Sequence, residues 1–320
     1  MAYIISVAIS TAIFAIIALG LNVTWGLGGL LNLGYFMFVG VGAYISAVIT
    51  LPAATPPYTS YILGLGMPFP VAALTAMLVT GLLALVIGSV ALRRLRADYF
   101  AIVMLVVTAI AAQIVNDQRP LFNGSIGLYG LPQPFADLLN VDPDTYSYFF
   151  LGMCVVILAA VFWFTRRLQW SPYGRTLRAM REDDRAVMAF GRNAYVYKLK
   201  ALIVGSAIGG LGGALAAHFV GVWTTESWTV GEALLIFACI FLGGTANNFG
   251  VVLGTIITAG VFQELTRFLP QIPGHPDAAA ALRWVIIGLL LIIVLHVRPR
   301  GILPERHDRD PAPLPAVSTS

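Results

Sequence analysis

Charged residues are scarce in this chain, and no Asp, Glu, Lys or Arg precedes Arg93. Only 11% of the residues are charged, whereas a soluble domain carries about 25%. This scarcity excludes a water-soluble fold and implies a hydrocarbon environment. The net charge of +4 is too small, and too confined to loops, for the basic face that nucleic-acid binding requires. We therefore expect an integral membrane protein whose partners include lipid and exclude nucleic acid.

Cysteine and lysine are almost absent, and each shortage excludes a kind of site. Cys154 and Cys239 lie in apolar runs without Cys or His at metal-ligand spacing, so neither a disulfide framework nor a metal site is expected. The only lysines are Lys198 and Lys200, and neither stands in a glycine-rich phosphate-binding loop. Another polypeptide must therefore handle any ATP. No catalytic spacing is present, so we expect neither an enzyme nor a cofactor.

Carboxylates are also missing from the middle of the apolar runs. Asp98, Glu226, Glu232 and Glu264 all fall near the ends of predicted spans, where solvation is available. Ion-driven carriers place such groups at mid-membrane depth. The pattern therefore argues against an autonomous ion-coupled carrier, and His218 is interpreted as a packing residue.

Apolar runs of spanning length are what the chain has in abundance. A spanning helix needs about 20 apolar residues, and the runs that fit are 2–20, 31–51, 69–92, 98–115, 147–165, 199–222, 251–268 and 281–297. A shorter run, 231–242, predicts a short or broken helix that turns inside the protein. The prediction is an all-α polytopic bundle of about nine transmembrane helices, with eight to ten as the range. The first run lacks a basic flank and a cleavage site, so it is expected to be a retained span.

The basic residues predict the orientation of these spans, because Lys and Arg are retained on the cytoplasmic side. Three segments hold 16 of the 19: three in 93–96, nine in 166–200 and four in 298–309. This distribution predicts an extracytoplasmic N-terminus and a cytoplasmic C-terminus. Residues 1–303 are expected to form the transmembrane domain. The segment 304–320 carries four prolines and mixed charges, and we expect it to be a disordered cytoplasmic tail.

The cytoplasmic loop 166–200 is the most informative segment, because it predicts short helices with an apolar stripe. Ala186, Ala189 and Phe190 follow helical spacing, three acidic residues occupy positions 182–184 at the N-terminal turn, and Gly191 can end the helix. This pattern indicates a capped helix that docks to another polypeptide. The alternative is a solvated loop that only anchors topology.

Five blocks of the sequence resemble one transporter family and together touch most of residues 20–303. They are 20–35, 98–103, 171–191, 242–250 and 298–303, which include Gly26-Leu27-Gly28-Gly29, Arg181-Glu182-Asp183-Asp184 and Leu242-Gly243-Gly244. The chain resembles the LivM-like permeases of ATP-binding cassette (ABC) importers for branched-chain amino acids. The resemblance implies a permease subunit in the bacterial plasma (inner) membrane. It also implies a LivH-like second permease forming a heterodimer, two cytoplasmic ATP-binding subunits and an extracytoplasmic substrate-binding protein.

The family's ATPase-docking loop has the form Glu-Ala-Ala-x-x-x-Gly, and the stretch 185–191 aligns with it but departs at Arg185 and Val187. The resemblance implies that ATPase coupling uses Arg181, Glu182, Asp183, Asp184, Arg185, Ala186, Ala189, Phe190 and Gly191. Because the binding protein carries most of the specificity in such systems, a weakly polar path suffices. Candidates to line that path are Asn22, Asn32, Tyr35, Tyr44 and Asn116.

Two points of this interpretation have alternatives. Asn247 and Asn248 replace the smaller residues of relatives, and they either cap the short helix, which we favour, or line a polar passage. The substrate can also be urea or a short amide, since permeases for these look similar. Two alternative functions belong to other classes of protein. The chain can be an ion-coupled secondary carrier, or a membrane scaffold that transports nothing.

Overall fold

The computed structural model describes residues 2–54, 59–95, 97–136, 142–228, 230–265, 278–298 and 301–305. These residues are almost all helical: α1 (Ala2–Leu21), α2 (Tyr35–Thr50), α3 (Phe69–Arg94), α4 (Ala97–Asp117), α5 (Arg119–Phe122), α6 (Pro143–Trp170), α7 (Pro172–Glu182), α8 (Asp184–Ala189), α9 (Ala194–Val220), α10 (Val230–Gly243), α11 (Asn248–Thr255), α12 (Gln263–Leu265) and α13 (Ala278–Val297). A π-helical segment, Asn22–Leu27, prolongs α1, and a second, Ile256–Phe262, joins α11 to α12. Two short strands, β1 (Leu128–Tyr129) and β2 (Val222–Trp223), pair antiparallel.

The described residues contain five helices that are long and apolar enough to cross a membrane, together with three shorter apolar helices. This finding confirms an all-α membrane protein, while the total of about nine spans stays a prediction. The predicted run 31–51 forms a helix only from Tyr35, because residues 28–34 interrupt the chain between the π segment and α2.

The core lies where α1, α2, α3 and α9 meet, and small residues let these helices approach closely. A Cβ on Gly42 would lie 2.4 Å from the Gly210 backbone, and a Cβ on Gly213 would lie 1.9 Å from the Val39 carbonyl oxygen. Membrane helices pack through such small-residue contacts because lipid provides no hydrophobic drive between them. In contrast, much of α4 and α6 faces outward with large apolar side chains, as a lipid-facing surface does.

The short run 231–242 folds as predicted, into a helix that turns inside the protein. Helix α10 ends at Gly243, the chain reverses through residues 244–247, and α11 runs back against α10. Ala246 in the turn is buried and has a φ of +60°. The segment 301–305 packs against this hairpin, because the Ile302 and Leu303 amides donate to the carbonyls of Leu242 and Gly243.

We expect Gly254→Ala to destabilise this hairpin. Its Cβ would stand 2.1 Å from the Cys239 carbonyl oxygen, and backbone cannot rotate away as a side chain can. Overpacking of this kind costs roughly 1–3 kcal/mol or more. Thermal unfolding of the purified subunit in detergent should show a lowered Tm.

The matched control is Gly152→Ala on α6, where the added Cβ meets no atom within 4 Å. This variant should be at least as stable as the parent, because Ala favours helix over Gly by up to about 1 kcal/mol. Equal Tm values for both variants would contradict the close packing of α10 on α11.

Candidate functional site

The loop between α6 and α9 folds into two capped helices. The Ser171 hydroxyl accepts from the Gly174 amide at the start of α7. Asp183 caps α8 by accepting from the amides of Arg185 and Ala186. Gly191 follows α8 with a φ of +76°, a left-handed conformation that favours glycine. The predicted short helix with an acidic start and a glycine end is therefore confirmed.

Helix α8 presents its apolar stripe to the surroundings. Ala186, Ala189 and Phe190 are all exposed, and Phe190 is 87% exposed. Met188 beside them is also exposed. We call these four residues the α8 tip. Within the part of the chain that the structure describes, no residue buries this tip, although large apolar side chains are costly to leave in water.

Helix α7, unlike α8, is anchored to the rest of the protein. Its Leu177 and Met180 side chains are buried. The Tyr173 ring stacks on Tyr197 of α9 at 5.4 Å, and its hydroxyl donates to the Tyr197 carbonyl oxygen over 2.8 Å. Burial raises the pKa of Tyr173 above its usual value, so this hydroxyl stays protonated as a donor. A firmly seated α7 can transmit a displacement of α8.

Arg181 connects α7 to two distant parts of the chain. Its Nη1 donates to the Gly26 carbonyl oxygen in the π segment that prolongs α1. Its Nη2 lies 2.5 Å from Glu305 Oε2, and Arg178 Nη1 lies 3.5 Å from the other oxygen of that carboxylate. Gly29, at a φ of +65°, leaves room for the Arg181 side chain. Charge-assisted bonds in this partly buried place are stronger than surface pairs.

The other members of the predicted coupling set lie further out. Glu182 and Arg185 are exposed, whereas Asp184 pairs with Lys198 of α9. The nine residues that the resemblance assigned to ATPase coupling therefore do not form one surface in the structure. Arg181 faces the protein, Asp183 caps α8, Asp184 pairs with Lys198, and the apolar residues form the α8 tip.

Beneath α7, buried amides join α1, α6 and the turn before α11. Asn22 Oδ1 accepts from the Ala246 amide, and Asn22 Nδ2 donates to Asn248 Oδ1, both at 3.0 Å. Asn248 Nδ2 donates in turn to Thr165 Oγ1 over 3.1 Å. Gln169 Nε2 donates to the Ala246 carbonyl oxygen. A satisfied buried network of this kind fixes the relative position of its helices.

The roles of the two neighbouring amides differ. Asn247 caps α11, since its Oδ1 accepts from the amides of Phe249 and Gly250. Its Nδ2 donates to the carbonyls of Leu303 and Pro304. The preferred interpretation of capping is thus confirmed for Asn247, while Asn248 belongs to the buried network.

We expect Asn248→Leu to lower stability by about 1–3 kcal/mol, because the Asn22 Nδ2 donor would lose its buried acceptor. The effect is measured as a lower Tm of the purified variant in detergent. Gln113→Leu is the control, because Gln113 bonds Asp117 on the exposed face of α4. A Tm that is unchanged in Asn248→Leu would show that the network does not hold the helices.

A cleft of about 640 Å³ opens beside this network. Phe249 forms one wall, and the Arg166 guanidinium lies 5.3 Å from the centre of its ring. The remaining lining residues come from the end of α6, the turn before α11 and the C-terminal segment: Gln169, Trp170, Asn247, Asn248, Leu303, Pro304 and Glu305. The cleft thus lies between the end of α6, the turn before α11 and the C-terminal segment.

The five predicted path residues do not meet in one cavity. Asn22 lies in the network above, and the Tyr35 hydroxyl lies within 3.2 Å of the carbonyls of Ile17 and Gly205. Asn116 accepts from Thr225, and Tyr44 is buried against Phe122. Asn32 is fully buried, and its amide has no hydrogen-bond partner among the described residues. That these five line a path stays a prediction.

The described basic segments converge at one end of the molecule. The Arg93 guanidinium lies 4.9 Å from the ring centre of Tyr195, at the start of α9. Arg178 and Arg181 meet Glu305 of the C-terminal segment. The convergence fits the prediction that the three basic segments share one side of the membrane.

Sequence reasoning missed several residues of this site, among them Glu305, Thr165 and Gln169. Pro304 and Glu305 were assigned to the tail by composition, yet both contact the site; residues 306–320 lie outside the described ranges. Leu-Gly-Gly occurs at 27–29, 211–213 and 242–244, so this repeat alone does not locate the site, although Gly26 before the first copy lies against Ala246 after the third.

Known proteins resemble the chain over nearly its whole length. A family model described as branched-chain amino acid transport system / permease component matches residues 3–295. The probable branched-chain amino acid transport permease protein LivM of Methanocaldococcus jannaschii is 27% identical over 92% of this chain and 91% of its own length.

Two further relatives come from enteric bacteria. The high-affinity branched-chain amino acid transport system permease protein LivM of Escherichia coli is 30% identical, over 94% of this chain and 70% of its own length. The corresponding LivH protein of Salmonella typhimurium is 26% identical over 91% of each chain. No solved structure matches the chain significantly.

Proposed function

The chain belongs to the family of branched-chain amino acid transport system permease components, and we propose that it is the membrane-spanning subunit of an ABC importer that translocates branched-chain amino acids. One observation carries this proposal: helix α8, with its exposed apolar tip, directly follows α7, and Arg181 of α7 donates to the Gly26 carbonyl oxygen in the π segment that prolongs α1. A solvated loop that only anchors the topology of the spans would need neither the exposed apolar residues nor the contact of Arg181. The chain is a multi-pass protein of the bacterial inner membrane.

The α8 tip docks to an ATP-binding subunit in this proposal. Phe190 and Met188 enter a groove of the partner, and Asp183, Asp184 and Lys198 hold α8 in place. ATP binding closes the ATPase pair and carries α8 and α7 along. Arg181 then moves the π segment of α1 and the C-terminal segment together. The permease pair changes between inward- and outward-facing states as a two-state exchange.

Partners supply what this chain lacks. Its sequence contains no phosphate-binding loop. Membership of the permease family implies two cytoplasmic ATP-binding subunits, which hydrolyse the ATP. Similarity to both LivM and LivH proteins supports a second, LivH-like permease as the other half of a heterodimer. An extracytoplasmic binding protein delivers the substrate. With the basic segments on the cytoplasmic side, the N-terminus is outside and the C-terminus inside.

A direct test measures ATP hydrolysis by the reconstituted complex. Binding protein loaded with leucine should stimulate hydrolysis severalfold over empty binding protein. If binding protein loaded with urea or a short amide stimulates hydrolysis and binding protein loaded with leucine does not, the substrate is the alternative one, urea or a short amide, carried by a permease of the same family. If no loaded binding protein raises the rate of ATP hydrolysis above the rate with empty binding protein, the proposal is contradicted.

A further inference from the structure

An apolar groove of about 450 Å³ continues from the cleft beside Arg166. Phe249 and Leu303 line both spaces, so the cleft and the groove meet there. On α6 the groove is lined by four residues at helical spacing: Val155, Leu158, Ala159 and Phe162. Across α11 and the start of its π segment, four residues at the same spacing form the other wall: Phe249, Val252, Leu253 and Ile256. The groove therefore lies between one face of α6 and one face of α11.

The face of α6 that lines the groove becomes polar where the helix ends. Arg166, Gln169 and Trp170 follow Phe162 at helical spacing, and they line the cleft. Arg166 is exposed, and no carboxylate of the described residues pairs with its guanidinium, which lies against the Phe249 ring. One continuous strip of α6 thus presents an apolar surface followed by a cation.

The charges around the cleft favour an anion. Of the described residues that line it, Glu305 alone is acidic. Arg178 and Arg181 each contact one oxygen of that carboxylate, so two guanidinium groups outweigh it. Arg166 adds a third positive charge at the edge of the groove. An anion that enters the cleft beside Arg166 is therefore attracted.

The groove and the cleft lie at the depths that suit the two ends of a lipid. Helix α6 is long and apolar enough to cross a membrane, and Arg166 stands four residues before its end. The groove follows α6 from Val155 to Phe162, about 11 Å, which is most of the roughly 15 Å of hydrocarbon in one leaflet. Trp163 and Trp170 near Arg166 are exposed, and tryptophan is enriched at the membrane–water interface.

We infer that the groove and the cleft together bind one phospholipid with an anionic headgroup. An acyl chain lies along the groove, and the phosphate accepts hydrogen bonds from the Arg166 guanidinium. Basic pockets between membrane helices recognise anionic headgroups in this way, and the planar guanidinium matches the oxygens of a phosphate. An apolar helix of a partner protein would fill the groove but would leave Arg166 without an anion. The inference does not depend on which substrate the protein transports.

The headgroup is tested by titrating the purified full-length chain in detergent with lipid and counting the bound lipid by native mass spectrometry. The two probes are phosphatidylglycerol, which is anionic, and phosphatidylcholine, which is zwitterionic. The parent should bind phosphatidylglycerol more tightly. Arg166→Gln should weaken phosphatidylglycerol binding about fivefold, which corresponds to about 1 kcal/mol, and phosphatidylcholine binding less than about twofold.

The matched control is Arg167→Gln, which removes a neighbouring charge that stacks on Trp163 outside the cleft. This variant should bind phosphatidylglycerol as the parent does. Equal phosphatidylglycerol affinities in the two arginine variants, or equal affinities of the parent for the two lipids, would refute the headgroup site.

The acyl chain is tested by filling the groove. Ala159 and Ala160 are exposed neighbours on α6, and Ala159 lines the groove whereas Ala160 does not. Ala159→Phe should weaken the binding of both lipids at least about tenfold, and Ala160→Phe should leave it unchanged. Equal binding by these two variants would refute the groove as the place of the chain. Glycerol phosphate that competes as strongly as phosphatidylglycerol would show that the cleft binds a free phosphate group and would overturn the lipid assignment.

The same titration on the chain purified together with its partner subunits identifies the occupant in the assembly. We expect the complex to bind phosphatidylglycerol with the affinity of the isolated chain. Loss of lipid binding in the complex would show that a partner protein covers the groove, and it would overturn the inference.

Discussion

Phe190→Asp is expected to abolish both leucine uptake and the stimulation of ATP hydrolysis while leaving the permease folded. Phe190 is 87% exposed, so the change removes no internal contact and the Tm of the subunit should stay within the error of the parent. Aromatic residues at the centre of an interface contribute about 2–4 kcal/mol to binding, and a buried unpaired carboxylate adds a penalty. Affinity for the ATP-binding subunit should therefore fall roughly 30- to 1,000-fold.

Phe190→Leu is the matched control, since it keeps an apolar group at the same position. It should retain most of the uptake and bind the ATP-binding subunit within about tenfold of the parent. Co-purification of the ATP-binding subunit, quantified against the permease, is the measurement. If Phe190→Asp retains the ATPase and full uptake, the α8 tip is not the docking site.

The second large effect is expected for Arg181→Ala, and it separates coupling from docking. Arg181 faces the π segment of α1 and Glu305, not the exposed surface of α8. The variant complex should therefore still assemble with its ATP-binding subunits and hydrolyse ATP. Uptake per ATP hydrolysed should fall about tenfold or more, since residues in a transmission network change coupling by up to about 2 kcal/mol.

Two further variants sharpen this test. Glu305→Gln removes the charge that both Arg178 and Arg181 contact, so it should lower uptake per ATP in the same direction as Arg181→Ala. Arg175→Gln is the control on the same helix, because Arg175 is exposed and, among the described residues, donates to the nearby Trp170 carbonyl oxygen alone. Equal uptake per ATP in the Arg181 and Arg175 variants would show that the α7 connection carries no coupling.

The sequence predicted what depends on neighbouring residues. Apolar runs located the long helices, and the acidic start and glycine end located α8, because both patterns are local. The short run before Gly243 was also recognised, since its length was insufficient for a span and two glycines followed it.

Contacts between distant residues could not be predicted in the same way. Asn22 and Asn248 are separated by 226 positions, and no helical periodicity indicates which amide faces which. Glu305 stands in a polar, proline-containing segment whose composition predicts disorder. Its contact with Arg181 depends on how the hairpin of α10 and α11 holds residues 301–305. Packing that depends on the whole fold therefore overrides the local pattern.

The most direct test of the account is the uptake of radiolabelled leucine into proteoliposomes that contain this chain, its second permease, the ATP-binding subunits and the binding protein. The account predicts uptake that requires hydrolysable ATP and is lost in the double variant Ala186→Glu with Gly191→Arg. Ala186→Glu places charge on the exposed surface of α8, and Gly191→Arg adds charge after α8 and strains the left-handed conformation that Gly191 adopts there. Leucine uptake by the chain down an ion gradient, without ATP-binding subunits, would contradict it.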